Sequence, residues 1–271
     1  MTIKNDNAPF SSLQLPFDVM NEKNVDYNIV FTGLSADFCV CIIDIINSTY
    51  TSANLYDNSK VRSYYSVFIN AVSFIVSRFN GRIIKNAGDS LIFFFPKTHN
   101  IHTYEDHNSN NKENILMDIF ECGLSILNLR QLINSQYIKL GLNPINYRIS
   151  AEYGRLEVAK LPFTDAVDLF GPTMNLCAKI NNKAPPNSMV IGGDLYCISR
   201  QHHHMLSYDN SIHFREIDEY LVRGFKQRYP IYLVETLTSE LSSLALAHAI
   251  SRKLPSIAKE LKDYLSSMNH T

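Results

Sequence analysis

Apolar and polar positions alternate along this chain with two different periods, and the changes of period mark out the elements. Phe38 to Ile46 is an apolar run interrupted only by Asp44, which predicts a buried strand ending at the polar turn Asn47-Ser48-Thr49. From Ser52 to Phe79, Val61, Tyr64, Tyr65, Phe68, Val72, Ile75, Val76 and Phe79 fall on one broad face and predict a helix that Asn80-Gly81 stops. Arg82 to Pro96 holds two apolar runs around Asn86-Ala87-Gly88-Asp89, a hairpin with an aspartate at its turn. Lys97 to Asn114 has no period and reads as a surface loop. Ile115 to Leu140 predicts a second helix closed by Gly141, and Asn146 to Val158 a pair of strands broken at Gly154.

The second half is built of shorter units. A brief helical pattern (Met174, Leu176, Cys177, Ile180) follows Gly171-Pro172, and Ala184-Pro185-Pro186-Asn187 turns the chain into a strand at Met189-Val-Ile-Gly. Residues 194–200 read as a short helix, Phe214 to Ile217 and Ile231 to Val234 as the last strands. Thr238 to Leu265 reads as a final helix kinked or split by Pro255. The order strand, helix, hairpin, helix, strand is βαββαβ-like. It predicts an α+β architecture with helices on one face of a sheet.

Composition narrows the function classes without naming one. The 271 residues are 45% hydrophobic, ample for a core, which excludes a disordered chain. With 25 Lys+Arg against 26 Asp+Glu the net charge is −1, which argues against nucleic acid or an anionic membrane as the main partner. No apolar run approaches a membrane span and the first ten residues lack a secretory signal. The five cysteines are odd in number and hold no Cys-x-x-Cys, pointing to a reduced, cytoplasmic setting. The sequon at Asn47 is then a chance match. His202, His203 and His204 point in different directions in regular structure and make a poor metal site.

Chemistry enters with two carboxylates. Asp44 lies inside an apolar strand and Asp89 at the turn of the neighbouring hairpin. Taken singly, each reads as a cap, an ion pair or a turn residue. In a βαββ unit, however, the strand end and the hairpin turn can lie side by side and form a hard-oxygen site for Mg²⁺ or Mn²⁺ carrying substrate phosphates.

Five segments, in order over residues 36–236, give the chain a family resemblance. They are Ile42-Ile-Asp-Ile-Ile-Asn-Ser-Thr49, Ile84-Lys-Asn-Ala-Gly-Asp-Ser-Leu91, Tyr147-Arg-Ile-Ser-Ala-Glu-Tyr-Gly154, Val167-Asp-Leu-Phe-Gly-Pro-Thr-Met-Asn-Leu-Cys-Ala-Lys179 and, more weakly, Tyr220-Leu-Val-Arg-Gly-Phe225 leading to Tyr232. Together they resemble the catalytic domains of class III nucleotidyl cyclases, the adenylate and guanylate cyclases. The resemblance implies a ferredoxin-like βαββαβ core, an antiparallel sheet with helices packed on it and a head-to-tail homodimer. A leader (1–35) and a C-terminal helical extension (237–271) would flank this domain, leaving no room for a separate sensor.

The same resemblance implies roles. Asp44 and Asp89 match the aspartates that bind two Mg²⁺ or Mn²⁺ ions per site. Lys85 and Asp168 match the adenine readers, so ATP is the expected substrate and cyclic AMP and pyrophosphate the products. Asn175 matches the asparagine that orients the ribose, and Lys179 falls where the family has a transition-state arginine. Asn47, Ser48 and Thr49 would cradle phosphate, and Arg223 or Lys226 would meet the terminal phosphates. One copy supplies the aspartates and its partner supplies the base readers, Asn175 and the cation, so the dimer has two shared sites. The departures are Asn47-Ser48-Thr49 for a Gly-Phe-Thr turn, Lys179 for arginine and Ser150 for a small glycine. Two alternatives stay open: a pyrimidine cyclase making cyclic UMP or CMP, of the bacterial antiviral kind, and a degenerate module that binds nucleotide or regulates a partner. For each bland counterpart, Asn175 and Lys179 read as a solvated helix face, Lys85 as a surface strand residue and Asp168 as a turn or N-cap residue.

Overall fold

The computed structural model describes residues 29–100, 109–161, 167–201, 212–221, 228–236 and 242–267. The first strand, β1 (Val30–Ile45), is longer than the apolar run predicts. Its inner half alternates between two buried faces, while its outer half is exposed. Two helices follow where one was expected: a short α1 (Ser48–Ala53) and α2 (Asn58–Arg78). The break comes at Asp57, whose carboxylate accepts from the Ser59 N–H at 2.8 Å and caps α2. Strands β2 (Arg82–Ala87) and β3 (Ser90–Phe95) form the expected hairpin. A single 3-10 turn (Pro96–Asn100) follows, so the expected loop begins with structure, and its residues 101–108 lie outside the described residues.

The second predicted helix is also two, α3 (Ser109–Asn128) and α4 (Arg130–Lys139). Strand β4 (Tyr147–Lys160) runs unbroken through Gly154, which corrects the expected strand pair. There a glycine is required by close approach, because a Cβ would lie 2.7 Å from the Thr173 hydroxyl. A short strand not expected from the sequence, β5 (Val167–Phe170), pairs with the end of β4 and holds Asp168 in regular structure rather than in a turn. Then come α5 (Pro172–Asn181), β6 (Met189–Gly192), α6 (Gly193–Gln201), β7 (Ile212–Leu221), β8 (Arg228–Thr236) and α7 (Ser242–Ser267). Pro255 lies inside α7 without splitting it.

The eight strands form one sheet in the order β2-β3-β1-β4-β6-β8-β7, with β5 beside β4. All pairs are antiparallel except β4–β6, so the sheet is mixed rather than purely antiparallel. Helices cover both faces, which corrects the expectation of one. Alternate residues of β1 (Cys39, Cys41, Ile43, Ile45) and β4 (Tyr147, Ile149, Ala151, Tyr153) enter the main core with α2, α3, α4, α6 and α7. The other parity (Phe38, Val40, Ile42, Leu156) packs with Cys177 of α5 on the opposite face. Ser150 helps fasten α5 there: its hydroxyl donates to the Cys177 carbonyl at 3.0 Å and accepts from Asn181 at 3.1 Å. At this position the hydroxyl therefore has a structural use.

Candidate functional site

Asp44 lies near the end of β1 on the face shared with α5, and its strand neighbours fix its surroundings. It stands opposite Ser90 of β3 and Arg148 of β4. The Ser90 hydroxyl donates to Asp44 Oδ1 at 2.8 Å. The Arg148 guanidinium donates to Oδ2 through Nε at 3.2 Å and Nη2 at 3.0 Å. Asp89 occupies the β2–β3 turn as expected. Its carbonyl accepts from the Ile45 N–H at 3.2 Å, tying the hairpin tip to the end of β1. Its side chain accepts from the Ser48 hydroxyl. Ser90 also stands 3.5 Å from Asp89 Oδ1, so one hydroxyl touches both carboxylates.

This brings the two predicted metal aspartates together. Neither is sealed in the core, and their donor set is hard oxygen throughout, which suits Mg²⁺ or Mn²⁺ better than a softer ion. The Arg148 guanidinium already lies on Oδ2 of Asp44. Among the described residues no cluster of three or more His, Cys, Asp or Glu side chains converges anywhere. The candidate centre thus rests on two carboxylates and leaves the remaining positions of an octahedral ion to substrate and water.

The turn that links β1 to α1 flanks this pair. Asn47 sits in the left-handed region at φ 58° and, like Thr49, is exposed, while Ser48 is buried against Asp89. The left-handed turn serves where the related pattern has glycine, because asparagine tolerates that region better than most residues.

A second predicted pair also meets. Lys85 Nζ of β2 lies 2.5 Å from Asp168 Oδ2 of β5. The lysine is 41% exposed and the aspartate 8%, so the carboxylate forms the floor and the ammonium the open side. The Lys85 ammonium also stands 5.8 Å from the Phe170 ring centre. Asp168 Oδ1 accepts from its neighbour's N–H, Leu169, at 2.8 Å, which fixes the carboxylate plane.

Asn175 and Lys179 lie one turn apart on the exposed face of α5, as their spacing predicts. Among the described residues neither reaches the carboxylates of its own chain. Arg223 and Lys226, expected at the terminal phosphates, lie outside the described residues, as do His202, His203 and His204.

Two residues with consequences were not singled out from the sequence. Arg148 carries the cation on Asp44. The available signal was its place in the quoted β4 segment, where strand register sets it opposite Asp44. The other is Glu152, fully buried further along β4. Its Oε1 accepts from the Tyr153 N–H at 2.8 Å and the Leu195 N–H at 3.2 Å, and Tyr229 donates to Oε2 at 2.8 Å. Burial pushes the carboxyl up to about 8, although these hydrogen bonds pull it down. Its position also requires Gly192, where a Cβ would lie 1.5 Å from Oε2.

All five cysteines are free thiols, four of them buried. Burial pushes Cys41, Cys122 and Cys177 up, so they are inert packing residues rather than nucleophiles. Among the described residues no helix is long and apolar enough to cross a membrane.

No protein-family model matches this chain, and no curated protein matches it in sequence. Solved structures do match. The adenylyl cyclase CyaB from P. aeruginosa aligns with a TM-score of 0.59 at 18% identity, over 76% of this chain and 96% of its own. The guanylyl cyclase Cya2 gives 0.59 at 16%, over 77% and 96%. The guanylate cyclase domain of RhGC from Catenaria anguillulae, in complex with GTP, gives 0.57 at 15%, over 75% and 99%. The chain therefore has the fold of the class III nucleotidyl cyclase catalytic domains, over nearly the whole length of each of these chains.

Proposed function

We propose that this protein is a class III nucleotidyl cyclase that converts ATP to 3′,5′-cyclic AMP and pyrophosphate, at two sites shared across a homodimer in the cytoplasm. The observation that carries the reading is the meeting of Asp44 and Asp89, joined through Ser90, in a chain with the cyclase fold. Mg²⁺ or Mn²⁺, two per site on these carboxylates, would supply acidification of the ribose 3′-hydroxyl and neutralisation of the triphosphate. The 3′-oxygen then bonds to the α-phosphorus while the bond to the bridging oxygen of pyrophosphate breaks, and the 3′ proton passes to solvent.

The protein's own groups position the reactants. Lys85 can donate to a ring nitrogen and Asp168 can accept from an exocyclic amine, and adenine presents that pair of groups. Their mutual contact keeps both in place until the base takes over each partner. Asn175 orients the ribose and Lys179 offsets charge growing on the phosphate. Asn47, Ser48 and Thr49 line the phosphates nearest Asp89, and Arg223 or Lys226 meets their far end. In a head-to-tail dimer the exposed face of α5 from one copy lies over the aspartates of the other. This explains why Asn175 and Lys179 do not reach the carboxylates of their own chain.

Subunit complementation tests the shared site. Asp44→Ala and Asn175→Ala proteins should each be inactive, and mixing them under subunit exchange should restore one working site per heterodimer. Exchange without restored activity would refute the arrangement. Full activity in Asp44→Ala protein would refute the metal assignment.

A further inference from the structure

The guanidinium on Asp44 is doubly anchored. Besides its two bonds to Oδ2, Arg148 donates through Nη2 to the Asn182 side-chain oxygen at 3.1 Å and through Nη1 to the Asn182 carbonyl at 3.3 Å. Asn182 closes α5 and is exposed, and its own amide donates to the Ala178 carbonyl at 3.3 Å. Two N–H groups thus converge on a single carboxylate oxygen, which has two lone pairs. Oδ1 already accepts from Ser90. In this arrangement Oδ2 offers a divalent ion no open direction, and it faces a fixed positive charge.

We propose that Arg148 is a displaceable counter-ion competing with the divalent cation for Oδ2 of Asp44, and that Asn182 is the positioning residue that sets the strength of this competition. The proposal rests on the reading of Asp44 as a metal ligand. Without a cation, the guanidinium neutralises a half-buried carboxylate that would otherwise stand beside Asp89 as an uncompensated like charge. When a cation arrives, Arg148 must leave Oδ2, and each contact with Asn182 that holds it there raises the concentration of cation needed.

The test is Mn²⁺ binding to nucleotide-free, full-length protein by titration calorimetry, so the readout is not turnover. Asn182→Ala removes one of the two Asn182 contacts at an exposed position. It should tighten Mn²⁺ binding by about tenfold, the worth of one hydrogen bond to a charged group. Arg148→Lys keeps the charge but loses the fork, and should also tighten binding. Unchanged or weaker Mn²⁺ affinity in both variants, with folding confirmed by circular dichroism, would overturn the proposal. Asp44→Ala separates the two ideas. If it leaves Mn²⁺ binding intact, the metal assignment itself fails. If it abolishes binding while neither Asn182→Ala nor Arg148→Lys tightens it, only the counter-ion proposal fails.

Discussion

Glu152→Gln is the substitution with the most consequences for stability, because the carboxyl is fully buried with no cation beside it among the described residues. Its ordinary value is 4.5 and burial raises it to about 8 in the folded chain. Below pH 4.5 both folded and unfolded chains carry the neutral acid, and stability is fully present. As pH rises from 4.5 towards 8 the unfolded chain releases its proton while the folded chain keeps it, so stability is lost. At about 1.4 kcal/mol per unit over this window, the loss reaches about 5 kcal/mol. That is comparable with the whole stability of many domains. Glutamine mimics the neutral acid: its oxygen can accept from the Tyr153 and Leu195 N–H groups, and its amide can donate to Tyr229. Urea unfolding at pH 5, 6, 7 and 8 should show the two proteins nearly equal at pH 5. The variant should be the more stable by several kcal/mol at pH 8. Parallel pH profiles for the two proteins would refute the reasoning.

Three further substitutions probe separate parts of the structure. Gly192→Ala drives a methyl into Glu152 Oε2 and should cost upwards of about 3 kcal/mol or prevent folding; an unchanged melting temperature would contradict the packing described. Asp57→Ala removes the α2 cap and should cost about 1 kcal/mol, read as a fall of a few degrees in thermal unfolding. Lys179→Arg restores a planar fork and should raise kcat by roughly tenfold with little change in KM, measured under saturating Mn²⁺; a fall in kcat would remove Lys179 from its proposed role.

The parts legible in the sequence were those governed by short-range chemistry. The strand around Asp44, the hairpin at Asp89 and the exposed spacing of Asn175 and Lys179 follow from periodicity and turn residues, and the structure shows each of them. What escaped was set by tertiary contact. The helices at 109–139 carry one apolar face through a break, because the face is dictated by the core beneath and not by helix continuity, whereas at 48–78 the apolar face belongs to α2 alone and α1 buries only Ser48. Strand β5 is four residues long and is recognisable only through its partner β4. The burial of Glu152 depends on Gly192 and Tyr229, forty or more residues away. The ion pair of Arg148 depends on a register that no local pattern encodes.

Product identification tests the central claim most directly. Purified protein would be incubated with Mn²⁺ and, separately, ATP, GTP, CTP or UTP, and the products resolved by mass. The expected result is cyclic AMP and pyrophosphate in equal amounts from ATP, lost in Asp44→Ala protein. Cyclic UMP or cyclic CMP would overturn the assignment of Lys85 and Asp168 as adenine readers while keeping the carboxylate chemistry. No cyclic nucleotide from any of the four, with nucleotide binding retained, would contradict the enzymatic reading and leave a nucleotide-binding module in its place.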